Sequence, residues 1–261
     1  MNLSLQGKNA LVCGSSKGIG RAIAIELAAL GANVTLAARD AIKLAAVKNE
    51  LDKSFGQRHR FMSVDFSKSD DLNSKVKTLV ANQPIQILVN NTGGPASGFI
   101  IDAEEEDFTQ AFHNHLICSH LLVKILRKGM IQSGYGRIIN IISTSVKQPL
   151  DNLGVSNTIR GAMASWAKTM SNELAIDGIT VNNVLPGSTM TDRLKEIIQV
   201  RAEKADISFE AMQTKMLTDI PMARFADTKE IANAVAFLAS PAAAYINGIN
   251  LPVDGGRTKS L

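Results

Sequence analysis

The chain has 261 residues, of which 45% are hydrophobic, 20% are charged and 5% are aromatic. This composition excludes fibrous and largely disordered proteins, and the length suits one α/β domain spanning residues 1–261. The net charge is +4, but Lys and Arg are spread along the chain rather than gathered in a block, so we expect no nucleic-acid partner.

The two cysteines and the hydropathy pattern indicate where the protein works. Cys13 and Cys118 lie in apolar segments without metal-ligand spacing, which predicts buried thiols in a reducing compartment and no metal site. The first residues lack the apolar run of a signal peptide, and no stretch approaches the roughly 18 apolar residues that span a bilayer. We therefore expect a cytoplasmic protein that binds no membrane.

Short apolar segments alternate with helical patterns along the whole chain. The predicted strands are residues 9–13, 33–37, 60–64, 87–89, 137–142, 180–184 and 250–253, and the predicted helices are residues 19–30, 41–55, 70–81, 105–130, 156–176 and 228–239. Gly31 and Gly56 are placed to close the first two helices. Continuous apolar strands between helices predict a doubly wound, Rossmann-like fold with a seven-stranded parallel sheet. Residues 189–224 are polar and break this alternation, which is typical either of a substrate lid or of surface packing or an oligomer contact.

A glycine-rich loop follows the first predicted strand and opens the first helix. It consists of Gly14, Ser15, Ser16, Lys17, Gly18, Ile19 and Gly20. Glycines at this point let the backbone turn tightly and approach a diphosphate, which the helix N-terminus also attracts. The loop in this position predicts a dinucleotide site.

The end of the second predicted strand indicates which dinucleotide binds. Arg39 stands where an acidic residue would hold the ribose of NAD, and an Arg there suits the 2′-phosphate of NADP. Lys17 adds to this preference, whereas Asp40 leaves NAD(H) as the less favoured cofactor. A pair of solvated surface cations is the alternative interpretation of Arg39 and Lys17.

In order along the chain, these motifs resemble the short-chain dehydrogenase/reductase family, and within it the 3-oxoacyl carrier-protein reductases. Val253-Asp-Gly-Gly256 and Tyr245-Ile-Asn-Gly248 resemble the family's C-terminal signature. Besides the glycine-rich loop, the resemblance implies cofactor contacts at Asp65 and Phe66 for adenine, at Asn91, Thr92 and Gly93 after the fourth strand, and at Pro186, Gly187 and Thr189 beside the nicotinamide. Ser143 matches the family's catalytic serine.

The rest of the family's catalytic pattern is altered. Counting from Ser143, the family's tyrosine position is Ser156 and its lysine position is Arg160, and no Tyr-x-x-x-Lys occurs in the sequence. Ser156 is a much weaker acid than a phenol, while Arg160 keeps a charge that suits the nicotinamide ribose. The helical position of the family's Asn falls at His115, which is interpreted either as a proton donor or as a polar helix-face residue.

Two functions follow from this pattern. The first is an NADP(H)-dependent oxidoreductase that acts on a small carbonyl or alcohol, such as a 3-oxoacyl substrate, with Ser143 polarising the oxygen and a water or His115 supplying the proton. The second is a catalytically impaired dinucleotide-binding scaffold or NADP-responsive regulator. Family members commonly form homodimers or homotetramers through two long helices, here residues 105–130 and 156–176, so the resemblance implies a homo-oligomer.

Overall fold

Seven parallel strands form one sheet in the computed structural model, which describes residues 1–260. Their order across the sheet is β3-β2-β1-β4-β5-β6-β7. The strands are β1 (Asn9–Cys13), β2 (Asn33–Ala38), β3 (Arg60–Ser63), β4 (Ile87–Asn90), β5 (Gly136–Ile141), β6 (Ile179–Pro186) and β7 (Asn250–Val253). The order reverses between β1 and β4, and ligands of such folds bind at this switch point.

Nine α-helices lie between and around these strands in the described part of the chain. They are α1 (Gly18–Ala29), α2 (Ala41–Glu50), α3 (Ser69–Asn82), α4 (Glu105–Phe112), α5 (Cys118–Gln132), α6 (Gly154–Leu174), α7 (Asp192–Lys204), α8 (Phe209–Leu217) and α9 (Thr228–Ala239). No helix among residues 1–260 combines the length and apolarity that a membrane crossing requires.

Both faces of the sheet are covered, which explains why its strands are continuously apolar. In β1, Ala10 and Val12 belong to one buried cluster with α1 and α9, whereas Leu11 and Cys13 belong to a second cluster with α3 and α5. Successive side chains of a strand point to opposite faces, so all four buried positions of β1, residues 10–13, must be apolar. The predicted doubly wound fold is confirmed.

The prediction of a helix over residues 41–55 was wrong at its end. The helix stops at Glu50 because Leu51 adopts an extended conformation, with ψ 135°. Asp52 then accepts hydrogen bonds from the backbone and the hydroxyl of Ser54, which starts a separate turn. Gly56, with φ 77°, closes that turn rather than the helix.

The predicted helix over residues 105–130 is interrupted near the sheet edge. A π-helical turn at His113–Ile117 separates α4 from α5. Such turns insert an extra residue into a helix and occur frequently at functional sites. Here the turn places His115 in the protein interior.

Four asparagines form a hydrogen-bonded row across neighbouring strands. Asn90, Asn140, Asn183 and Asn250 are aligned in register on β4, β5, β6 and β7. Each side-chain amide donates to the next Oδ1 at 2.8 Å, from Asn90 to Asn140, from Asn140 to Asn183 and from Asn183 to Asn250. We call these residues the amide row. Mutual hydrogen bonding is what allows such polar groups inside the sheet.

The segment 189–224 contains α7 and α8 and has an apolar cluster of its own. Leu194, Ile198 and Ala202 of α7 pack against Met212 of α8. Thr191 caps α7 by accepting from the backbone of Leu194, and it lies beside Gly18 of the glycine-rich loop. The segment therefore lies close to the end of the sheet where the predicted site residues meet.

Candidate active site

The glycine-rich loop has a shape that only glycine permits at two of its positions. Gly14 has φ 59°, and a Cβ on it would lie 2.5 Å from the carbonyl oxygen of Asn91. A Cβ on Gly20 would lie 2.2 Å from the carbonyl oxygen of Gly14 and 2.7 Å from Asn91 Nδ2. Asn91 Nδ2 in turn donates to the carbonyls of Cys13 and Gly14, each at 3.2 Å. The loop is therefore packed directly against the end of β4.

The start of α1 fits a diphosphate. Lys17 precedes the helix in an extended conformation, and its side chain forms no capping hydrogen bond. The first amides of α1 are thus left without a side-chain acceptor, and such amides bind phosphate oxygens. Ser15 is buried, and its Oγ accepts from the backbone of Ala37 at 3.0 Å, which anchors the loop to β2. Ser16 is half-buried, and Ile19 packs against the core.

Arg39 and Asp40 have different surroundings at the end of β2. Asp40 caps α2 by accepting from the backbone of Lys43 at 3.0 Å, and this hydrogen bond lowers the pKa of the carboxyl. Arg39 is exposed, and no ion pair involves its side chain among residues 1–260. The carboxylate is engaged by the helix, while the guanidinium remains available to an anion.

Asp65 and Phe66 lie after β3, across from Arg39. The backbone of Ser67 donates to Asp65 at 3.0 Å, and hydrogen bonding from Ser67 lowers the pKa of this carboxyl, with a smaller contribution from the charge of Arg39. The carbonyl of Phe66 accepts from Cys118 Sγ. Both residues are half-buried at the sheet edge.

Ser143 follows the end of β5, and Arg160 reaches the same strand end from α6. Ser143 Oγ accepts from the backbone of Ser145 at 3.1 Å, which leaves the hydroxyl hydrogen to donate to a ligand oxygen. Ser156 and Arg160 lie one turn apart on α6, and Ser156 forms no side-chain hydrogen bond within residues 1–260. Arg160 is only 7% exposed, and its Nη1 donates to the carbonyl of Ile141 at 3.1 Å. Burial lowers the pKa of Arg160 to about 10, so it remains cationic at neutral pH.

Three buried polar atoms, one on Arg160 and two on residues that line the same cavity, have no hydrogen-bond partner among the described residues. They are Arg160 Nε, Asn114 Oδ1 and Asn90 Oδ1, the last at the free end of the amide row. All three residues line one cavity of about 10 Å³, which is close to the volume that one water requires. A donor and two acceptors around so small a cavity are suited to binding a water.

His115 lies on the same cavity and is 4% exposed. Its Nδ1 is 2.5 Å from Thr92 Oγ1, a hydrogen bond that joins the π-helical turn to the segment after β4. Burial, with a smaller contribution from the charge of Arg160, lowers the pKa of His115 from 6.5 to about 3. The ring is therefore neutral at physiological pH.

This low pKa predicts an acid-dependent loss of stability. The unfolded ring binds a proton below about pH 6.5 and the folded ring does not, so the stability is present above that pH and is lost as pH falls toward 3. At pH 5 the loss amounts to about 2 kcal/mol. We expect denaturant unfolding of His115→Gln to lose about 2 kcal/mol less than wild type between pH 7 and pH 5. Equal losses would contradict a neutral buried ring.

A larger cavity of about 680 Å³ opens in front of Ser143. Pro186 and Gly187 line it where β6 ends, and a Cβ on Gly187 would lie 2.7 Å from Cα of Asp254. Thr189 is buried beside this turn, and its Oγ1 donates to the carbonyl of Gly187. The cavity size is typical of a site for a small molecule.

The structure thus brings the predicted residues to one edge of the sheet. A parallel sheet with this strand order, and a glycine turn between β1 and α1, defines the Rossmann class of α/β proteins.

Comparison with known proteins identifies the family. A family model described as enoyl-(acyl carrier protein) reductase matches residues 14–258. The 3-oxoacyl-[acyl-carrier-protein] reductase FabG of Vibrio cholerae is 34% identical over 97% of this chain and 98% of its own length. The L-sorbose reductase of Gluconobacter frateurii, solved with NADPH and L-sorbose, superposes with a TM-score of 0.94 at 30% identity and covers both chains fully. YwfH, an NADPH-dependent reductase of bacilysin biosynthesis, has a TM-score of 0.91 at 30% identity over 97% of this chain and 99% of its own. The chain belongs to the short-chain dehydrogenase/reductase family of oxidoreductases.

Sequence reasoning missed several residues of this site. The amide row had a visible signal, because Asn stands in each of four largely apolar strands. Arg201 and Arg257, which line the larger cavity, had none, because they lie far apart in the chain and their segments meet only after folding.

Proposed function

We propose that the protein is an NADP(H)-dependent reductase of small carbonyl compounds. The observation that carries this proposal is the convergence of the glycine-rich loop, Arg39 and Ser143 on one sheet edge, with a small-molecule cavity in front of Ser143. NADP is preferred in this proposal because Arg39 has no ionic partner within residues 1–260, while Asp40 is occupied in capping α2.

Bound NADPH would supply a hydride to the carbonyl carbon, and a proton to the oxygen would complete the alcohol. The loop Gly14–Gly20 would hold the diphosphate, and Arg39 the 2′-phosphate. Asp65 and Phe66 would contact adenine. Asn91, Thr92 and Gly93, together with Pro186, Gly187 and Thr189, would enclose the nicotinamide end. Arg160 would hold the ribose, an assignment supported by its buried charge where β5 ends, on the small cavity that His115 also lines.

Ser143 would donate its hydroxyl hydrogen to the carbonyl oxygen. The surroundings of His115 favour water over this histidine as the proton source, because a neutral buried ring lacks the extra proton. Arg160 Nε and Asn114 Oδ1 are buried on the small cavity and have no hydrogen-bond partner among residues 1–260, so they suit binding a water, and such a water is the proposed proton source.

A non-catalytic NADP-binding scaffold or regulator is the second candidate. It is favoured by one observation, the absence of any Tyr-x-x-x-Lys in the sequence. Nicotinamide fluorescence would report NADPH binding by a reductase and by a scaffold alike. Only a measurement of substrate turnover distinguishes the two candidates.

We expect the protein to oxidise NADPH in the presence of a carbonyl panel that includes sugars, oxo acids and acetoacetyl thioesters, and to bind NADPH more tightly than NADH.

Ser143→Ala should lower kcat at least about 100-fold, since it removes the donor to the developing negative charge. Combining Ser156→Tyr with Arg160→Lys should raise kcat if α6 carries the proton-transfer positions.

NADPH binding without turnover of any compound would instead support the scaffold. Failure to bind either dinucleotide would contradict both candidates.

Within this proposal the protein is cytoplasmic and assembles as a homodimer or homotetramer. Trp166 and Met170 of α6 are half-buried and suit a helix-to-helix contact, whereas Met163 packs inside the chain against Ile142 and Leu185. Segment 189–224 is proposed as the substrate lid because α7 begins beside Gly18 and also lines the larger cavity.

A further inference from the structure

Two arginines from different parts of the fold line the larger cavity. Arg201 belongs to the last turn of α7, and Arg257 belongs to the segment after β7. Ser143 lines the same cavity, but no residue of the loop Gly14–Gly20 does, and neither does Arg39. These two cations therefore face the substrate side of the site rather than the phosphates of a cofactor.

Neither guanidinium has an acceptor in the part of the chain that the structure describes. Within residues 1–260, no ion pair or side-chain hydrogen bond involves Arg201 or Arg257, although both are partly buried. Other arginines of the chain are paired, as Arg127 is with Asp177 and Arg224 with Glu230. A partly dehydrated guanidinium with five free donors is suited to binding an anion.

Both arginines are fixed in position by their backbones. Asp254 accepts from the backbone of Gly256 at 3.0 Å and of Thr258 at 2.8 Å, which holds the segment on either side of Arg257. Arg201 follows Ile198 and precedes Ala202, both of which are buried in the apolar cluster of α7 and α8. The charges are thus presented by ordered elements, which lowers the entropic cost of binding.

Other charges around the cavity do not cancel this pair. Lys259 adds a third cation, while Asp151 and Asp219 are the acidic residues of the lining. Both carboxylates are exposed to solvent, and neither forms an ion pair with an arginine. The cavity therefore carries a net positive charge next to the hydroxyl of Ser143.

We propose that the substrate is a small oxo acid, whose carboxylate binds Arg201 and Arg257 while its carbonyl oxygen accepts from Ser143. This inference rests on the proposed reductase function and deepens it. An Arg fork binds a carboxylate through two parallel hydrogen bonds, and charge-assisted bonds of this kind are about twice as strong as neutral ones. A neutral sugar or a neutral ester would leave the two cations without a partner.

The test compares matched carbonyl compounds that differ only in charge. Oxo acids with the carbonyl at carbon 2, 3, 4 or 5 are each assayed beside their methyl esters, with NADPH oxidation as the readout. We expect at least one acid to exceed its ester about tenfold or more in kcat/KM. Arg201→Gln and Arg257→Gln should each raise KM for that acid by about tenfold or more, which brings the acid-to-ester ratio toward one.

Arg193→Gln is the matched control. Arg193 lies on the same helix as Arg201, is exposed beside Glu196 and does not line the cavity, so this variant should keep the wild-type acid-to-ester ratio. A fall in the ratio equal to that of Arg201→Gln would overturn the proposal, because it would reflect long-range charge alone.

A binding measurement makes the inference independent of turnover. Calorimetric titration of the protein–NADP⁺ complex, which has no hydride to transfer, with the same acids and esters should show binding of an acid that is lost in Arg201→Gln. Turnover of esters or sugars in preference to every acid would overturn the oxo-acid inference and leave the reductase function standing. NADPH binding without binding of any acid would also overturn it, whereas failure to bind NADPH would remove the reductase function itself.

Discussion

Gly20→Ala is expected to weaken NADPH binding by about 100-fold or more while the sheet stays folded. The added Cβ would lie 2.2 Å from the carbonyl oxygen of Gly14 and 2.7 Å from Asn91 Nδ2, so the start of α1 must move away from β4. Losing two charge-assisted hydrogen bonds from displaced amides to a diphosphate costs about 3 kcal/mol, and every 1.4 kcal/mol is tenfold in affinity. Nicotinamide fluorescence titration measures the change, and circular dichroism with thermal melting checks the fold.

The matched control is Gly161→Ala, which changes the same residue type in a helix. No atom lies within 4 Å of a Cβ built on Gly161, which is exposed on α6. We expect unchanged NADPH affinity and a gain in stability of about 0.5–1 kcal/mol, because Ala restricts the unfolded chain. A folded Gly20→Ala protein with wild-type affinity would show that the loop does not hold the diphosphate.

Asn140→Leu is expected to destabilise the protein by about 3 kcal/mol or more. Asn140 is fully buried in the centre of the amide row. The change leaves Asn90 Nδ2 without its acceptor and Asn183 Oδ1 without its donor, and each buried unsatisfied group costs about 1–3 kcal/mol. Denaturant unfolding measures this loss. The exposed Asn82→Leu serves as the control and should stay within about 0.5 kcal/mol.

A double variant tests whether the row acts as a unit. Asn183→Leu alone also strands two groups, one on Asn140 and one on Asn250. In Asn140→Leu combined with Asn183→Leu, only two groups remain stranded, on Asn90 and Asn250. The double variant should therefore cost about as much as one single variant, rather than the sum of both. Additive losses would contradict the hydrogen-bonded row.

The amide row connects the sheet to the site. Its free atom, Asn90 Oδ1, lies on the small cavity shared by His115 and Arg160. Breaking the row is therefore expected to disturb the small cavity around Arg160 and His115 as well as to lower stability. Measuring kcat of Asn140→Leu below its melting transition would extend the same experiment to function.

The sequence pattern predicted correctly the helices and strands whose ends are determined by residues adjacent in the sequence. Strands 9–13 and 250–253 and helix 228–239 have the predicted bounds, and Asp227 with Glu230 forms a capping box at the start of that helix. Helix 41–55 was predicted too long, because apolar and helix-forming residues continue past Glu50 and the stop depends on the turn around Asp52. The π-helical turn could not be predicted from the sequence, because its residues fit the same pattern as the α-helices on either side of it.

The sequence by itself determined the parallel sheet, the glycine-rich loop and the missing Tyr-x-x-x-Lys, because these depend on residue type and spacing along the chain. Only the tertiary structure decided that four asparagines hydrogen-bond across β4 to β7, that His115 is buried against Thr92, and that Arg201 and Arg257 share a cavity with Ser143. The physical reason is that the burial of a residue and the charges near it depend on which residues pack around it in three dimensions. Parallel crossovers bring together residues that lie far apart in the chain, as Asn90 and Asn140 or Ser143 and Arg257 do.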